Sequence, residues 1–498
     1  MLAPLLYQIN TRAFLTALGL SRPATLDDVP DTAIDAIAAR GFTWVWMLSV
    51  WQLGAAGREV ARTNPAWRAG YEAALPDVRE ADIQSSGFAI VDYTAARELG
   101  GPEALARLRS RLAARGLKLM LDFVPNHMAL DSLWIAEHPD YFVAGTVDAL
   151  QREPANYALI QTGSGPRVLA HGRDPNFDGW PDTLQLDYTN PALCQAQRLN
   201  LLDIAEQCDG VRADMAMLLL PDVFERTWHR RPEEFWPGAI AAVKSEQPDF
   251  MFAAEVYWDL ESAMHARGFD YAYDKRLYDR LRDADAAGVR DHLTLAPASY
   301  QHKLVRFLEN HDEPRAAATF APARHEAAAV LSFLTPGLKL LYDGEIEGAR
   351  IRLPVQLMRA PAEPLDQTLV AFYDALLAVL RRPVFHGGEW QMVAPEPAWE
   401  GNLTHANVIA FVHELIPYVW EQQRRERILT VVNYSGEQSQ ALLPLPFADL
   451  AGKSALLTDL LGPERYRRDG KEITGRGLFV DLGPWRYNVF TVEPADSA

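Results

Sequence analysis

Across the first three-quarters of the chain, short apolar runs alternate with longer segments of helical periodicity. That alternation constrains the fold more than any other feature. Parallel strands need a crossover between them, so repeated strand–helix units build a parallel sheet. The clearest unit starts at Gly101-Pro102-Glu103. Pro102 suits the first turn of a helix, and Leu105, Leu108 and Leu112 follow at i, i+3 and i+7. Gly116 ends the helix, and residues 117–124 read as a buried strand. The unit recurs. Asn190-Pro191 opens a helix with Leu193, Leu201, Ile204 and Ala205 on its apolar positions, Asp209-Gly210 closes it, and a strand runs to Asp214. Residues 235–244 read as a helix and 250–255 as the next strand. Residues 304–308 and 338–342 supply later strands, with a weaker run at 269–273 before them. Residues 42–48 and 88–91 are expected as the first two strands. Eight such units close into a (β/α)8 TIM barrel.

Two stretches break the repeat. Residues 128–189 are rich in Pro, Gly and Asp and poor in helical periodicity, and read as an inserted small domain or long loop after the third strand. From about residue 384 onward, strand-like runs at 408–412, 428–432, 478–480 and 487–492 are separated by turn residues such as Asn433-Tyr434-Ser435-Gly436 and Asp469-Gly470. This is the pattern of an antiparallel β-sandwich. The expected division is a catalytic barrel over 1–383, containing the insertion, and a sandwich domain over 384–498. The 498 residues, 49% of them hydrophobic and 23% charged, are enough for both.

The net charge of -18 disfavours nucleic acid as a partner, since an acidic surface repels phosphate backbones, and leaves neutral ligands such as sugars compatible. Cys194 and Cys208 fall in one expected helix, where a rise of ~1.5 Å per residue separates them by roughly 20 Å, so they are expected as reduced thiols. The start, Met1-Leu2-Ala3-Pro4-Leu5-Leu6-Tyr7-Gln8, lacks the basic and apolar regions of a signal peptide. No segment has the apolar length of a membrane span. A cytoplasmic protein is expected; its oligomeric state is not legible.

A barrel of this kind carries its active site at the C-terminal ends of the strands. Asp122 lies within the third strand and Asn126-His127 follow it. Arg212 and Asp214 end the fourth, Glu255 the fifth, and Glu309-Asn310-His311-Asp312 the seventh. One such acid is as well explained by capping the next helix. Four strands ending in carboxylate, imidazole or guanidinium would converge on one rim. Retaining glycoside hydrolysis needs such a set: a carboxylate to attack the anomeric carbon and a carboxylic acid to protonate the leaving oxygen, roughly 5–5.5 Å apart. Neighbouring strands about 4.8 Å apart offer that spacing to Asp214 and Glu255. Arg212 shares a strand face with Asp214, where its charge would keep that carboxylate ionised.

The segments Asp122-Phe123-Val124-Pro125-Asn126-His127, Gly210-Val211-Arg212-Ala213-Asp214, Ala254-Glu255-Val256 and Phe307-Leu308-Glu309-Asn310-His311-Asp312 resemble, in order, the signature regions of the α-amylase family, glycoside hydrolase family 13. Leu186-Asp187-Tyr188 resembles a further family motif late in the insertion. The resemblance implies Asp214 as nucleophile, Glu255 as general acid/base and Asp312 as the residue that grips and distorts the sugar. It implies His127 and His311 as hydroxyl ligands, Arg212 as the residue orienting Asp214, and Asp122 as a support beneath the site. Phe88 falls where the family usually has an aromatic platform, and reads equally as a core phenylalanine. Core imidazoles are the plain alternative for both histidines. Arg315 resembles a residue of the oligosaccharide-acting members, or pairs with a surface carboxylate.

The sequence also departs from the family. Many members continue past the nucleophile with a Lys-His pair that binds the next glucose; here the matching positions are Met217 and Leu218. That favours a short substrate, a different acceptor or a transferase over endo-acting starch hydrolysis. Many members bind calcium through the asparagine matched by Asn126, with carboxylates from the insertion, for which Asp174, Asp178 and Asp182 are candidates. Those aspartates sit in a Gly/Pro-rich stretch where Asp is an ordinary turn residue. No cofactor is required by this reading, calcium stays possible, and no metal ligand is assigned.

The expected function is therefore a retaining α-glycosidase or α-transglycosylase acting on α-glucosides or short α-glucans. Maltosyl- or glucosyl-transferring enzymes of trehalose-forming or sucrose-acting type stand beside it, and Trp134-Ile135-Ala136-Glu137-His138-Pro139-Asp140-Tyr141-Phe142 resembles a segment of the maltosyl-transferring relatives. A catalytically silent interaction domain would have lost the carboxylates. A metal-dependent barrel hydrolase would need clustered histidines, which the expected first strand, ending Trp46-Met47-Leu48, does not supply.

Overall fold

The computed structural model describes residues 4–416 and 425–495. The first three residues of the N-terminal stretch read above, and 417–424 and 496–498 of the C-terminal region, lie outside the described residues. Eight parallel strands close a barrel: β1 (Leu5–Asn10), β2 (Trp44–Leu48), β3 (Lys118–Phe123), β4 (Gly210–Ala213), β5 (Met251–Ala254), β6 (Tyr271–Tyr273), β7 (Leu304–Arg306) and β8 (Leu338–Tyr342). Their order round the barrel is their order in the chain, and β1 closes the ring on β8 through Leu5↔Lys339 to Gln8↔Tyr342.

The side chains explain the closure. Along each strand, successive residues alternate between two apolar clusters, as the period of two requires. Leu6, Trp44, Trp46, Met120, Val305 and Leu340 pack together inside the ring. Their strand neighbours Leu5, Val45, Leu119, Leu121 and Leu341 join the larger cluster against the helices. The alternation assigns the polar residues too: Gln8, Asp122, Arg212 and Asp214 share the inward parity.

Two strand expectations are corrected. The run at 42–48 is the second barrel strand, because Leu5–Asn10 forms the first. The run at 88–91 is no barrel strand: Ile90–Ala95 pairs antiparallel with Trp51–Leu53, outside the barrel. Its apolar character comes from packing beneath the loop after β2, with Ile90 and Ala95 fully buried. The helix Pro191–Gln207 ends one residue before Cys208, and both cysteines are free thiols.

Residues 128–189 hold a hairpin, Tyr157–Thr162 with Gly165–Ala170, and short helices. The base of this excursion is a three-residue antiparallel pairing of His127–Ala129 with Thr183–Gln185. Beyond the barrel, Glu389–Val393, Val408–Leu415, Glu426–Asn433, Ser454–Asp459, Arg465–Asp469 and Tyr487–Ala495 form a six-stranded antiparallel sheet. A second sheet, Ser439–Leu443 with Leu478–Leu482, packs on it over a shared core that includes Val408, Leu429, Leu443, Leu457 and Phe490. Tyr434 ties this unit to the barrel by donating its hydroxyl to the Leu281 carbonyl at 2.6 Å. No helix among the described residues is long and apolar enough to cross a membrane.

Candidate active site

The register of β4 and β5 sets the centre of the site. Ala213 pairs with Ala254, and the Glu255 N–H donates to the Ala213 carbonyl at 3.0 Å, so Asp214 and Glu255 leave adjacent strand ends side by side. Arg212, one inward position earlier, lies between them. Its Nη1 donates to Asp214 Oδ1 at 2.6 Å. Its Nη2 is 2.8 Å from Glu255 Oε2, an ion contact that lacks hydrogen-bond alignment. Asp122 Oδ1 stands farther off, 3.6 Å from Nη1. The guanidinium is 1% exposed and caged by the rings of Trp46, Phe88 and Tyr273, with centroids 5.3, 5.1 and 5.9 Å away. The rings offer their negative faces to the cation and exclude water from it.

The residue after Asp214 is part of the same device. Met215 adopts φ 41, a left-handed conformation that costs a side-chain-bearing residue roughly 1–2 kcal/mol. The turn points its N–H at Glu255 Oε2, 2.7 Å away. The other oxygen, Oε1, accepts from the Tyr257 hydroxyl at 2.8 Å.

Asp312 faces this pair from the segment after β7. Its carboxylate Oδ2 is 2.9 Å from His311 Nε2, again close in distance but not aligned as a hydrogen bond, and its side chain is 46% accessible. His311 is held from behind by Gln8, whose amide Nε2 is 2.7 Å from Nδ1. An amide donor at Nδ1 leaves the imidazole proton on Nε2, towards Asp312, an assignment that follows from the network. Phe88 stacks on His311 at 5.2 Å and 29°. His127 joins the rim between Phe88 and the insertion, its ring 5.1 Å from that of Trp180. Gly172 of the insertion passes so near that a Cβ there would stand 2.8 Å from the His127 Cβ. Arg352 completes the rim by donating to the Asp312 carbonyl at 2.8 Å.

Electrostatics separate the acids. Burial, with Asp214 and Asp312 nearby, pushes Glu255 up to about 7 against the pull of Arg212 and the Met215 N–H. Burial also raises Asp214, so Arg212 does not set its ionisation alone; the aligned 2.6 Å bond from Arg212 is what opposes the rise. Asp312 goes the other way: against partial desolvation, His311, Arg212 and Arg352 hold it at about 2. Asp122 is raised to about 6 by burial and is steadied by Arg212 and the Trp46 indole N–H. Burial lowers His127 to about 3, which keeps that ring neutral. The arrangement thus sets a carboxyl pushed up to about 7, Glu255, opposite one held at about 2, Asp312, with Asp214 between burial that raises it and Arg212 that opposes the rise.

The structure brings together Asp214, Glu255, Asp312, His127, Arg212, His311 and Phe88. It sets Arg315 apart. Arg315 is 7% exposed, donates to Glu309 Oε1 at 2.5 Å and to the Asp343 carbonyl at 2.9 Å, and lies over the Tyr342 ring. It fastens the loop after β8 and reaches none of the three carboxylates. Met217 and Leu218 are core residues, 0% and 3% exposed, so the cleft has no polar hook at those positions. Tyr257, Tyr273, Gln8 and Arg352 escaped the sequence reading. For Gln8 and Tyr273 the inward parity of their strands is the signal that would have found them.

The oxygens at Asn126 and Asp174 are already taken, so these two positions do not fit the calcium site the resemblance implies. The Gln185 Nε2 already sits among three oxygens, donating to Asn126 Oδ1 and the Asn126 carbonyl at 3.0 Å and near the Leu186 carbonyl at 3.1 Å. Asp174 caps its own turn, accepting from the N–H groups of Asn176 and Phe177. Among the described residues no group of three or more His, Cys, Asp or Glu is placed to hold a metal ion.

Comparison with known proteins bears on this geometry. The model of the family described as "Alpha amylase, catalytic domain" matches residues 75–353. An α-amylase of Haloarcula japonica is 27% identical over 293 residues, 56% of this chain and 39% of that protein. An intracellular maltogenic amylase of Bacillus subtilis is 22% identical over 311 residues, 57% of this chain and 47% of that one. The chain therefore spans less than half the length of these curated relatives in the matched region. The crystal structure of a noncanonic maltogenic α-amylase from Thermotoga neapolitana superposes with a TM-score of 0.68 over 98% of both chains at 17% identity, a likeness of fold.

Proposed function

The chain belongs to the α-amylase family, and from that premise we propose that it is a retaining enzyme that cleaves or transfers α-glucosidic bonds. The observation that carries this reading is one guanidinium, Arg212, held between Asp214 and Glu255 on adjacent strand ends, with Asp312 opposite.

Asp214 attacks the anomeric carbon. It suits the role because its hydrogen bond from Arg212 favours the anion. Glu255, raised to about 7 chiefly by burial, retains a proton for the leaving oxygen near neutrality and takes one back from the acceptor in the second step. Asp312, held at about 2, meets sugar hydroxyls as an anion. His311 and neutral His127 offer N–H donors to the same sugar, and the Phe88 ring gives its face a wall. Asp122 stays beneath Arg212 as a counter-charge.

A small acceptor, sugar as well as water, is favoured by buried Met217 and Leu218, which leave the next-glucose position without a hydroxyl ligand. Short α-glucans and α-glucosides are the proposed substrates, with maltosyl or glucosyl transfer as the second reading. Free Cys194 and Cys208 suit a reducing compartment, and we place the protein in the cytoplasm. The test is a product profile on maltose, maltooligosaccharides, sucrose, trehalose and glycogen, with and without acceptor sugar, following the anomer first released by NMR. An α-configured first product supports the reading, and a β-configured one overturns it.

A further inference from the structure

The two oxygens of Glu255 are held unequally. Oε2 accepts the Met215 N–H at 2.7 Å and lies 2.8 Å from Arg212 Nη2, donors that cannot reverse. A proton on Oε2 would collide with both. Oε1 has a single partner, the Tyr257 hydroxyl at 2.8 Å, and a hydroxyl can either donate or accept. The travelling proton therefore belongs on Oε1. Tyr257 is itself half-buried, and desolvation of its hydroxyl together with Glu255 pushes it well above the ordinary range, so it keeps its own proton.

We propose that Tyr257 is a positioning residue for the acid/base, holding Glu255 through Oε1 and stabilising the carboxylate left when the proton departs. The proposal rests on the reading of Glu255 as acid/base. In the first step the proton on Oε1 passes to the glycosidic oxygen, the C–O bond breaks with its electron pair on that oxygen, and Asp214 bonds to the anomeric carbon. Tyr257 then donates to the vacated Oε1. In the second step the acceptor hydroxyl gives its proton to Oε1 while its oxygen bonds to the anomeric carbon and the Asp214 bond breaks; the Tyr257 hydroxyl turns to accept. Charges facing Glu255 from the other elements are Arg212 on β4, Asp214 just after it and Asp312 after β7, with the Tyr273 phenol from β6. None of them approaches Oε1 as a reversible partner.

The experiment uses Tyr257→Phe in the full chain. Losing a donor to the carboxylate raises the acid limb of Glu255, so the upper limb of kcat/KM against pH moves up by about one pH unit. Turnover of a maltooligosaccharide falls about tenfold or more, and that of an activated aryl α-glucoside, whose leaving group needs no proton, falls much less. An unmoved limb with equal losses on both substrates overturns the proposal. Tyr257→Gln, which keeps an N–H donor without the ring, gives an independent reading: a limb near that of the unaltered protein supports the role, and a shift equal to that of Tyr257→Phe opposes it. Glu255→Ala separates the two levels. If it spares the maltooligosaccharide, the acid/base reading itself fails, whatever Tyr257 does.

Discussion

Two buried arginines stand at the same rim of the barrel, and they are partnered in opposite ways. Arg315 is satisfied. Its Nη1 serves Glu309 and the Asp343 carbonyl, and the other oxygen of Glu309 takes the Ala316 N–H at 2.5 Å. The cation bonds one carboxylate directly and also offsets the charges of buried Asp343 and Glu345. Arg212 is surrounded by Asp122, Asp214 and Glu255, and its own Nε, Asp122 Oδ1 and the Tyr273 hydroxyl remain buried without partners. Three acids share one buried cation there, and burial with the neighbouring acids pushes Glu255 up to about 7. The Arg315 group ties a loop by direct bonds, whereas the Arg212 group leaves polar atoms without partners, as the proposed catalytic centre would.

The comparison breaks first at Arg212. Replacing it with Gln leaves the acids without their cation, and kcat/KM on any turned-over substrate is expected to fall at least about a thousandfold. Steady-state kinetics checks this, and a loss below tenfold would remove Arg212 from the catalytic centre. Arg315→Met is expected to act on stability instead. Stranding Glu309 unpaired costs about 3–5 kcal/mol by denaturant unfolding, with KM little changed. The double variant with Glu309→Gln should recover most of that loss, because no buried charge is then left alone.

Glu255 sharpens the contrast through pH. Its folded value of about 7 lies above the ordinary 4.5, so the folded state binds the proton more tightly. The stability this gives is complete below 4.5 and is lost as pH rises through 7. Glu255→Gln removes the titration. It is expected to abolish turnover yet exceed the unaltered protein in stability at pH 8 by up to about 3 kcal/mol, with little gain at pH 4.5. Thermal melts at the two pH values decide it. The smallest effect concerns calcium. With Gln185 Nε2 filling the oxygen cradle at Asn126, EDTA or added calcium should move Tm by no more than about 1 °C, whereas Gln185→Ala should lower Tm by a few degrees in either buffer.

Much of this molecule is legible in its sequence. Parity along a strand and acids at strand ends place Asp214, Glu255 and Asp312, because a barrel maps sequence period onto direction. The failures have physical causes. Leu5–Asn10 mixes Gln8 and Asn10 into a short run at the start of the chain, and polar residues inside a barrel blur the apolar signal. Ile90–Ala95 looks like a barrel strand because periodicity reports burial and not partner. Phe88, read as an aromatic platform by resemblance although its strand is misplaced, does stack on His311. Arg315 reads with the site through the resemblance, with a carboxylate pair as the alternative; the structure pairs it with Glu309, which is buried. Tyr257 lies beyond the end of β5, where strand parity no longer says which way a side chain points.

The central claim is that Asp214 becomes covalently bound to the sugar. The direct measurement is to incubate the protein with 5-fluoro-α-D-glucosyl fluoride, digest it, and locate the added mass by peptide mass spectrometry. Stoichiometric, time-dependent labelling of Asp214 is expected, absent from the Asp214→Asn variant. Label on Glu255 or Asp312, or full inactivation with Asp214 unmodified, would contradict it.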